Sequence, residues 1–351
     1  MSAPQTGIST HQQHYLPVSD PSPPTGAQIK VTFYGISTLL FDDGRTQILI
    51  DAFLTRPTRQ TLLTSLATGE KSIASDPGVV EAWLARPEVR SVAAVFVAHS
   101  HHDHALDVAE IARRTGAQVH GSPSTLNIAR GGGVPEAQLH RYRLWEPVTV
   151  GEFTVTVLPG RHPQNPPPLT DDRDLTIDAP LAQPAAFADF VEGGSFAFLI
   201  EHHGRRILVQ VPSYVVGVLD DVRADVMFLS VIPIGHVDRR HTDTFYDQTI
   251  GNVRPRLVVP VHWDDFMEPA APGLVPLGDE IPAKFDDLLE RLERDNIAFG
   301  IMQGMQTVTL FQDDTLVRGD RTGPSRGTAA ARLPSGGRPP IHAPTVRVSG
   351  R

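Results

Sequence analysis

Residues 92–98 (VAAVFVA) form an unbroken apolar run that stops at His99-Ser100-His101-His102-Asp103-His104. An apolar run of this length reads as a strand buried on both faces, so it belongs to a sheet with layers on either side. Side chains at a strand end are held rigidly at a cleft. His99 and His101 are two apart and project to the same side of an extended chain. Asp103 and His104 fall on the turn into a helix expected over Ala105–Arg114. Imidazole and carboxylate donors suit Zn²⁺, Fe or Mn²⁺. The donors point in different directions, which suits two ions a few ångströms apart better than one.

The rest of the chain alternates hairpins and helices. Short apolar runs at Ile29–Phe33, Thr38–Phe41 and Gln47–Ile50 surround the turn signal Asp42-Asp43-Gly44. A short strand around Val119 and a helix at Pro123–Ala129 follow. Strands are expected at Val148–Val150, Phe153–Leu158, Phe196–Glu201, Ile207–Val211, Val226–Val231 and Leu257–Val261. Helices are expected at Thr242–Asn252 and Ala283–Arg294, and closing strands at Ala298–Met302 and Thr307–Phe311. Hairpins then a helix, twice over, suggest two similar halves, with sheets covered by helices. His202 and His203 sit on a hairpin turn beside Gly204 and read as solvated.

Three segments stand apart. Residues 1–28, rich in Pro, Ser, Gln and Thr, are expected to be disordered. The compact domain spans 29–317, and its 163–194 stretch, opening with PQNPPP, reads as a lid-like insertion. The tail 318–351 carries seven Arg against one acid, Asp320, among Gly and Pro, and reads as a disordered solvating tail.

Composition removes several classes of function. The chain contains no Cys, which excludes disulfides, iron–sulfur clusters, thiolate zinc sites and cysteine nucleophiles. The formal charge of −9 argues against nucleic acid as a partner. No apolar run reaches the ~18–20 residues of a membrane span, and no signal pattern opens the chain, so a cytoplasmic protein acting on a small molecule is expected. There is no G-x-S-x-G elbow. Gly131-Gly132-Gly133 lacks the Lys-Ser/Thr of a phosphate loop and reads as a helix stop.

The H-x-H-x-D-H pattern at 99–104 resembles that of the metallo-β-lactamase-fold superfamily of metal-dependent hydrolases. Leu158-Pro159-Gly160-Arg161-His162 and Pro260-Val261-His262-Trp263-Asp264-Asp265 end strands in the order that family shows. Phe33-Tyr34-Gly35-Ile36-Ser37-Thr38, followed by Asp51, resembles the ascorbate-lactonase-like and phospholipase-D-like branch. The resemblance spans about 29–312. It implies an α/β (α+β) fold, a four-layer αββα sandwich of two mixed sheets flanked by helices. It assigns His99, His101 and His162 to one metal, and Asp103, His104 and His262 to the other. Zn²⁺ leads, as one or two ions, with Mn²⁺ or Fe as alternatives.

Two departures accompany it. The family places a bridging Asp after the strand 207–210, where this chain has Pro212. Ile36 stands where related sequences often have His. The implied reaction is hydrolysis of a lactone, ester or phosphodiester by a metal-activated hydroxide, with Asp103 taking the proton. The alternative is a metal-binding sensor or scaffold that lacks the bridging Asp. Asp51, Arg161, Ser213, Tyr214, His236, His241 and Asp264 are candidates to touch substrate or orient a ligand. Tyr246 is a further candidate donor to the leaving group, and His102 is expected to point away from the ligands.

Overall fold

The alternation along residues 94–98 sets the layering. Ala94, Phe96 and Ala98 face a core shared by two sheets, whereas Val95 and Val97 face a second core beneath helices. The computed structural model describes residues 8–164, 169, 171–235 and 238–312. In chain order the strands are β1 (Ile29–Phe33), β2 (Leu39–Asp42), β3 (Gln47–Ile50), β4 (Val92–Phe96), β5 (Gln118–Gly121), β6 (Leu139–Arg141), β7 (Pro147–Val150), β8 (Phe153–Pro159), β9 (Phe196–His202), β10 (Arg205–Gln210), β11 (Val226–Ser230), β12 (Leu257–Val261), β13 (Ala298–Phe299) and β14 (Gln306–Leu310). The helices are α1 (Arg59–Thr68), α2 (Pro77–Leu84), α3 (His102–Ala105), α4 (Val108–Thr115), α5 (Pro123–Gly131), α6 (Arg239–Tyr246) and α7 (Ile281–Arg294).

Two mixed seven-stranded sheets result, ordered β14-β1-β2-β3-β4-β5-β6 and β13-β12-β11-β10-β9-β8-β7. Each half repeats one plan. Antiparallel pairs (β1–β2–β3 and β8–β9–β10) pass into parallel ones (β3–β4–β5 and β10–β11–β12). Phe41 meets Phe228 edge-on at 5.8 Å, and Phe96 meets Phe198 at 6.1 Å, joining the sheets. Outside the first sheet, Val80 and Trp83 of α2, Ile111 of α4 and Ile128 of α5 close the helical layer. Phe245 of α6 and Phe285, Leu288 and Leu292 of α7 pack into the core of the second sheet. This is the expected α/β sandwich.

The fold departs from the sequence reading in several places. Residues 8–28 are ordered, contrary to expectation: Ile8 is buried, His11 lies edge-on to Phe285 at 5.5 Å, and the Leu16 and Ser19 amides donate to the Ile301 and Thr307 carbonyls at 2.9 Å each. Pairing to a sheet edge through the backbone needs few apolar side chains, so composition hid it. Residues 1–7 and the tail lie outside the described residues. The helix expected from Ala105 starts at His102 and breaks after Ala105. Asp107 sits at that break and accepts from the Leu54 and Thr55 amides and the Thr55 and Ser75 hydroxyls at 2.6–2.7 Å. A further departure is His202, which is buried against Phe153, with ring centroids 5.0 Å apart. Phe198, Ile200 and His202 share a face of β9 by period two, which turns the ring inward.

The 163–194 stretch is stitched down where it is described. Ile73 and Ala185 exchange backbone hydrogen bonds of 2.9 Å, the Leu181 amide donates to Asn127 O at 2.9 Å, and the Ser100 amide donates to Glu192 O at 2.9 Å. Gly131 ends α5 and Gly133 takes φ +82°, the helix stop expected there.

Candidate metal centre

Four strand ends converge at one edge of the sandwich. β4 delivers His99, β8 delivers His162, β12 delivers His262, and β3 delivers Asp51. Parallel pairing of Ile50 with Phe96 sets Asp51 beside the start of the histidine run. Asp51 takes φ +56°; its amide donates to Phe96 O at 2.8 Å, and its Oδ1 accepts from the Ala98 amide at 2.7 Å.

The donor atoms of His99, His101 and His162 lie within 4.8 Å of one another, as do those of His99, Asp103 and His104. The two triads share His99. Asp103 Oδ2 is 3.4 Å from His104 Nε2 and 3.4 Å from His262 Nε2, which brings the sixth expected residue in. The set suits a divalent ion. His99 is 3% exposed, and neither of its ring nitrogens has a hydrogen-bond partner; His104 Nε2 is likewise buried and without one. Buried polar atoms are ordinarily satisfied, so clustered orphan nitrogens beside a carboxylate fit metal donors.

Partners on the outer nitrogens fix several rings. Asp51 Oδ2 is 2.8 Å from His104 Nδ1 and accepts from the Ser37 hydroxyl at 2.5 Å. His162 Nδ1 is 2.6 Å from Pro163 O, and His101 Nε2 is 2.8 Å from Asp172 Oδ2. Such contacts set which nitrogen carries the proton and raise the basicity of the other.

Electrostatics separate the rings. Burial pushes His99 well below the ordinary imidazole range, and His104, His101 and His162 reinforce it. Burial takes His162 down to about 3, so both rings are neutral near pH 7. For His104 burial is outweighed by Asp103 and Asp51, which raise it to about 10. Burial would raise Asp103, but His104 and the other imidazoles hold it well below the carboxylate range.

These shifts predict a stability optimum for the metal-free protein. Below the unperturbed value of 6.5, the folded chain binds fewer protons than the unfolded one at His99, His162 and His102, the last lowered by burial to about 4. Stability is therefore lost as pH falls through that window. Above 6.5 the sign reverses for His104, whose stabilisation is lost as pH rises towards about 10. Thermal unfolding of chelator-treated protein is expected to show its highest midpoint near pH 6–7, with slopes of up to about 1.4 kcal/mol per pH unit for each engaged group. A midpoint that keeps rising down to about pH 5 would contradict these assignments.

The cluster forms the floor of a cavity of about 610 Å³. Its walls include Leu66, Leu175, Phe187, Phe190, Phe266 and Leu277, and Lys284 of α7 enters it. His102, buried against Phe187 at 5.0 Å and Phe266 at 5.7 Å, is part of this wall.

Other expected residues fall elsewhere. Among the described residues the Asp264 carboxylate bonds no imidazole: its Oδ1 accepts from the Ile36 amide at 2.7 Å and its Oδ2 from Arg56 at 2.7 Å. Ile36 O in turn accepts from the His262 amide at 2.6 Å, so Asp264 holds the His262 turn through the backbone. Arg161 and Ser213 pair by their backbones, and the Arg161 side chain is exposed. Tyr214 and His241 face each other at 6.4 Å, and neither lines the cavity. Tyr246 donates to Asp295 Oδ2 at 2.7 Å and is likewise outside it. His236 lies outside the described residues. Pro212 packs against Gly160, where an added Cβ would lie 2.2 Å from Pro212 Cγ. Sequence reasoning passed over Ser37 and Asp172 as partners of the histidines. Only a dense acidic run at 171–174 marked the latter.

Known proteins resemble this chain in fold and in part of its sequence. The family model described as the beta-lactamase superfamily domain matches residues 46–207. Over that part, just under half of its length, the chain is similar to the beta-lactamase superfamily. It is 31% identical over 139 residues to a UPF0173 metal-dependent hydrolase of Chloroflexus aurantiacus, a match covering 39% of this chain and 49%, about half, of that relative. It is 26% identical over 248 residues to a UPF0173 metal-dependent hydrolase of Anaeromyxobacter sp. (strain K), covering 70% of this chain and 77% of the relative. Among solved structures, Igni18, a metallo hydrolase of the archaeon Ignicoccus hospitalis, has 18% identity and a TM-score of 0.50, covering 81% of this chain and 98% of its own. Among the described residues, no helix is long and apolar enough to cross a membrane.

Proposed function

We propose that the protein is a metal-dependent hydrolase acting on an ester, lactone or phosphodiester with an apolar portion. What carries the reading is the pair of donor triads sharing His99 at the floor of an apolar cavity. His99, His101 and His162 hold one ion, and Asp103, His104 and His262 hold the other, with Zn²⁺ the preferred metal. The chemistry supplied by an ion at these donors is Lewis acidity and acidification of water, from a pKa of about 15.7 to roughly 7. Asp103 accepts a proton at its carboxylate and aligns the nucleophile. Asp51 keeps the His104 proton on Nδ1. Phe187, Phe190, Leu175 and Leu66 bind the apolar portion and exclude water, and the 163–194 stretch acts as the lid that carries three of them.

The non-catalytic reading keeps one observation in its favour: Pro212 packs on Gly160 where the family carries a bridging carboxylate. A panel of esters, lactones and phosphodiesters of graded chain length decides between them. Turnover with zinc present, rising with chain length and lost in Phe187→Asp, is expected. No turnover of any member, with metal bound, would leave the sensor or scaffold. Pro212→Asp is expected to raise metal occupancy of the second position.

A further inference from the structure

We propose that Asp172, carried on the 163–194 stretch, is a positioning residue for His101 that ties this stretch to ion binding; the proposal rests on the metal-centre reading above. Asp172 Oδ2 lies 2.8 Å from His101 Nε2, and both side chains are 14% exposed. A carboxylate at Nε2 keeps the imidazole proton there and leaves the Nδ1 lone pair for an ion. The other fixed rings follow the opposite pattern. His104 and His162 meet their partners at Nδ1, which leaves Nε2. Those partners, Asp51 and the Pro163 carbonyl, lie at or next to the strand ends. The partner of His101 comes instead from 71 residues further along the chain.

The segment around Asp172 is built to hold this contact. The Leu175 amide donates to Asp172 O at 2.9 Å, and the Gly193 amide donates to Leu175 O at 3.1 Å. The Asp174 amide donates to the buried Glu192 carboxylate at 3.3 Å, and that carboxylate accepts from the Ser195 hydroxyl at 2.6 Å. Val191 O accepts from the Ser100 hydroxyl at 2.6 Å, and Glu192 O from the Ser100 amide at 2.9 Å. Ser100 stands between His99 and His101. Gly193 takes φ +64°, and an added Cβ would lie 2.3 Å from Ser100 Oγ, so no larger residue fits this seam. His101 is thus held at its ring by Asp172 and behind its backbone by the far end of the same stretch. Neighbouring Asp171 is spent on Arg173, its side-chain partner.

The test is Zn²⁺ affinity, measured by competition with a chromophoric chelator on the full chain. Asp172→Ala is expected to bind zinc about 10–100-fold more weakly than the wild type, and Asp172→Asn, whose amide oxygen still accepts a hydrogen bond, less weakly. Asp171→Ala is the control and is expected to match the wild type. Thermal unfolding in excess chelator reads out a merely structural role. The proposal expects an unchanged midpoint there for Asp172→Asn together with a zinc-dependent difference. Wild-type affinity in both Asp172 variants, or a loss of affinity matched by an equal loss of chelator-treated stability, overturns it. A wild-type chain that takes no zinc overturns the metal-centre reading as well, so the two failures are distinct.

Discussion

Asp103→Asn is expected to lower kcat/KM by about 10²–10⁴, the range for loss of a positioned proton acceptor. The carboxylate lies 3.4 Å from both His104 Nε2 and His262 Nε2, and it belongs with His99 and His104 to one donor triad. The amide keeps the shape but loses the charge. Without that charge His104 keeps, among the described residues, Asp51 as its anionic partner, and the proton acceptor proposed above is gone. Steady-state kinetics beside metal analysis check this. A variant that keeps its metal and loses only a few-fold in rate would move the proton-accepting role elsewhere.

Asp264→Ala and Arg56→Ala are each expected to destabilise the fold by about 3–5 kcal/mol, because each leaves an uncompensated buried charge. The side chains are 0% and 3% exposed and meet at 2.7 Å. Arg56 also donates to Asp265 O at 2.8 Å. Gly35 takes φ +101°, and an added Cβ would lie 2.0 Å from Arg56 Nη2 and 2.6 Å from Asp264 Oδ2, so the pair is sealed beneath a backbone that only glycine provides. Since Asp264 holds Ile36 and Ile36 holds the His262 amide, Asp264→Ala is also expected to weaken metal binding. The double variant should cost less than the two singles together, because they share a partner. Denaturant unfolding tests both statements, and single-variant losses under about 1 kcal/mol would contradict the buried-pair account.

What was legible in the sequence was what local chemistry concentrates. Four histidines and an aspartate at the end of a seven-residue apolar run mark β4 and the centre together. His162 and His262 are single histidines, readable only because each ends a strand in the order that the resemblance implies. The two-half plan showed in the order of hairpins and helices. What was not legible depends on register and on distant closure. Asp51 reaches His104 because Ile50 pairs with Phe96, a fact no spacing contains. Asp172 reaches His101 beside the seam where Val191 and Glu192 fasten the far end of its loop to Ser100. Asp264 follows His262 directly, yet its carboxylate turns to Ile36 and Arg56. Adjacency in sequence did not predict the contact there.

Metal content, measured by mass spectrometry on protein purified without added metal and again after zinc is supplied, tests the central claim most directly. His99→Ala is the companion variant, because both donor triads share His99. The account predicts bound divalent ion in the wild type and, in the variant, loss of at least the ion held by His99, His101 and His162 while the fold persists. A folded wild-type chain that takes up no ion, or a His99→Ala variant that holds as much as the wild type, would contradict it.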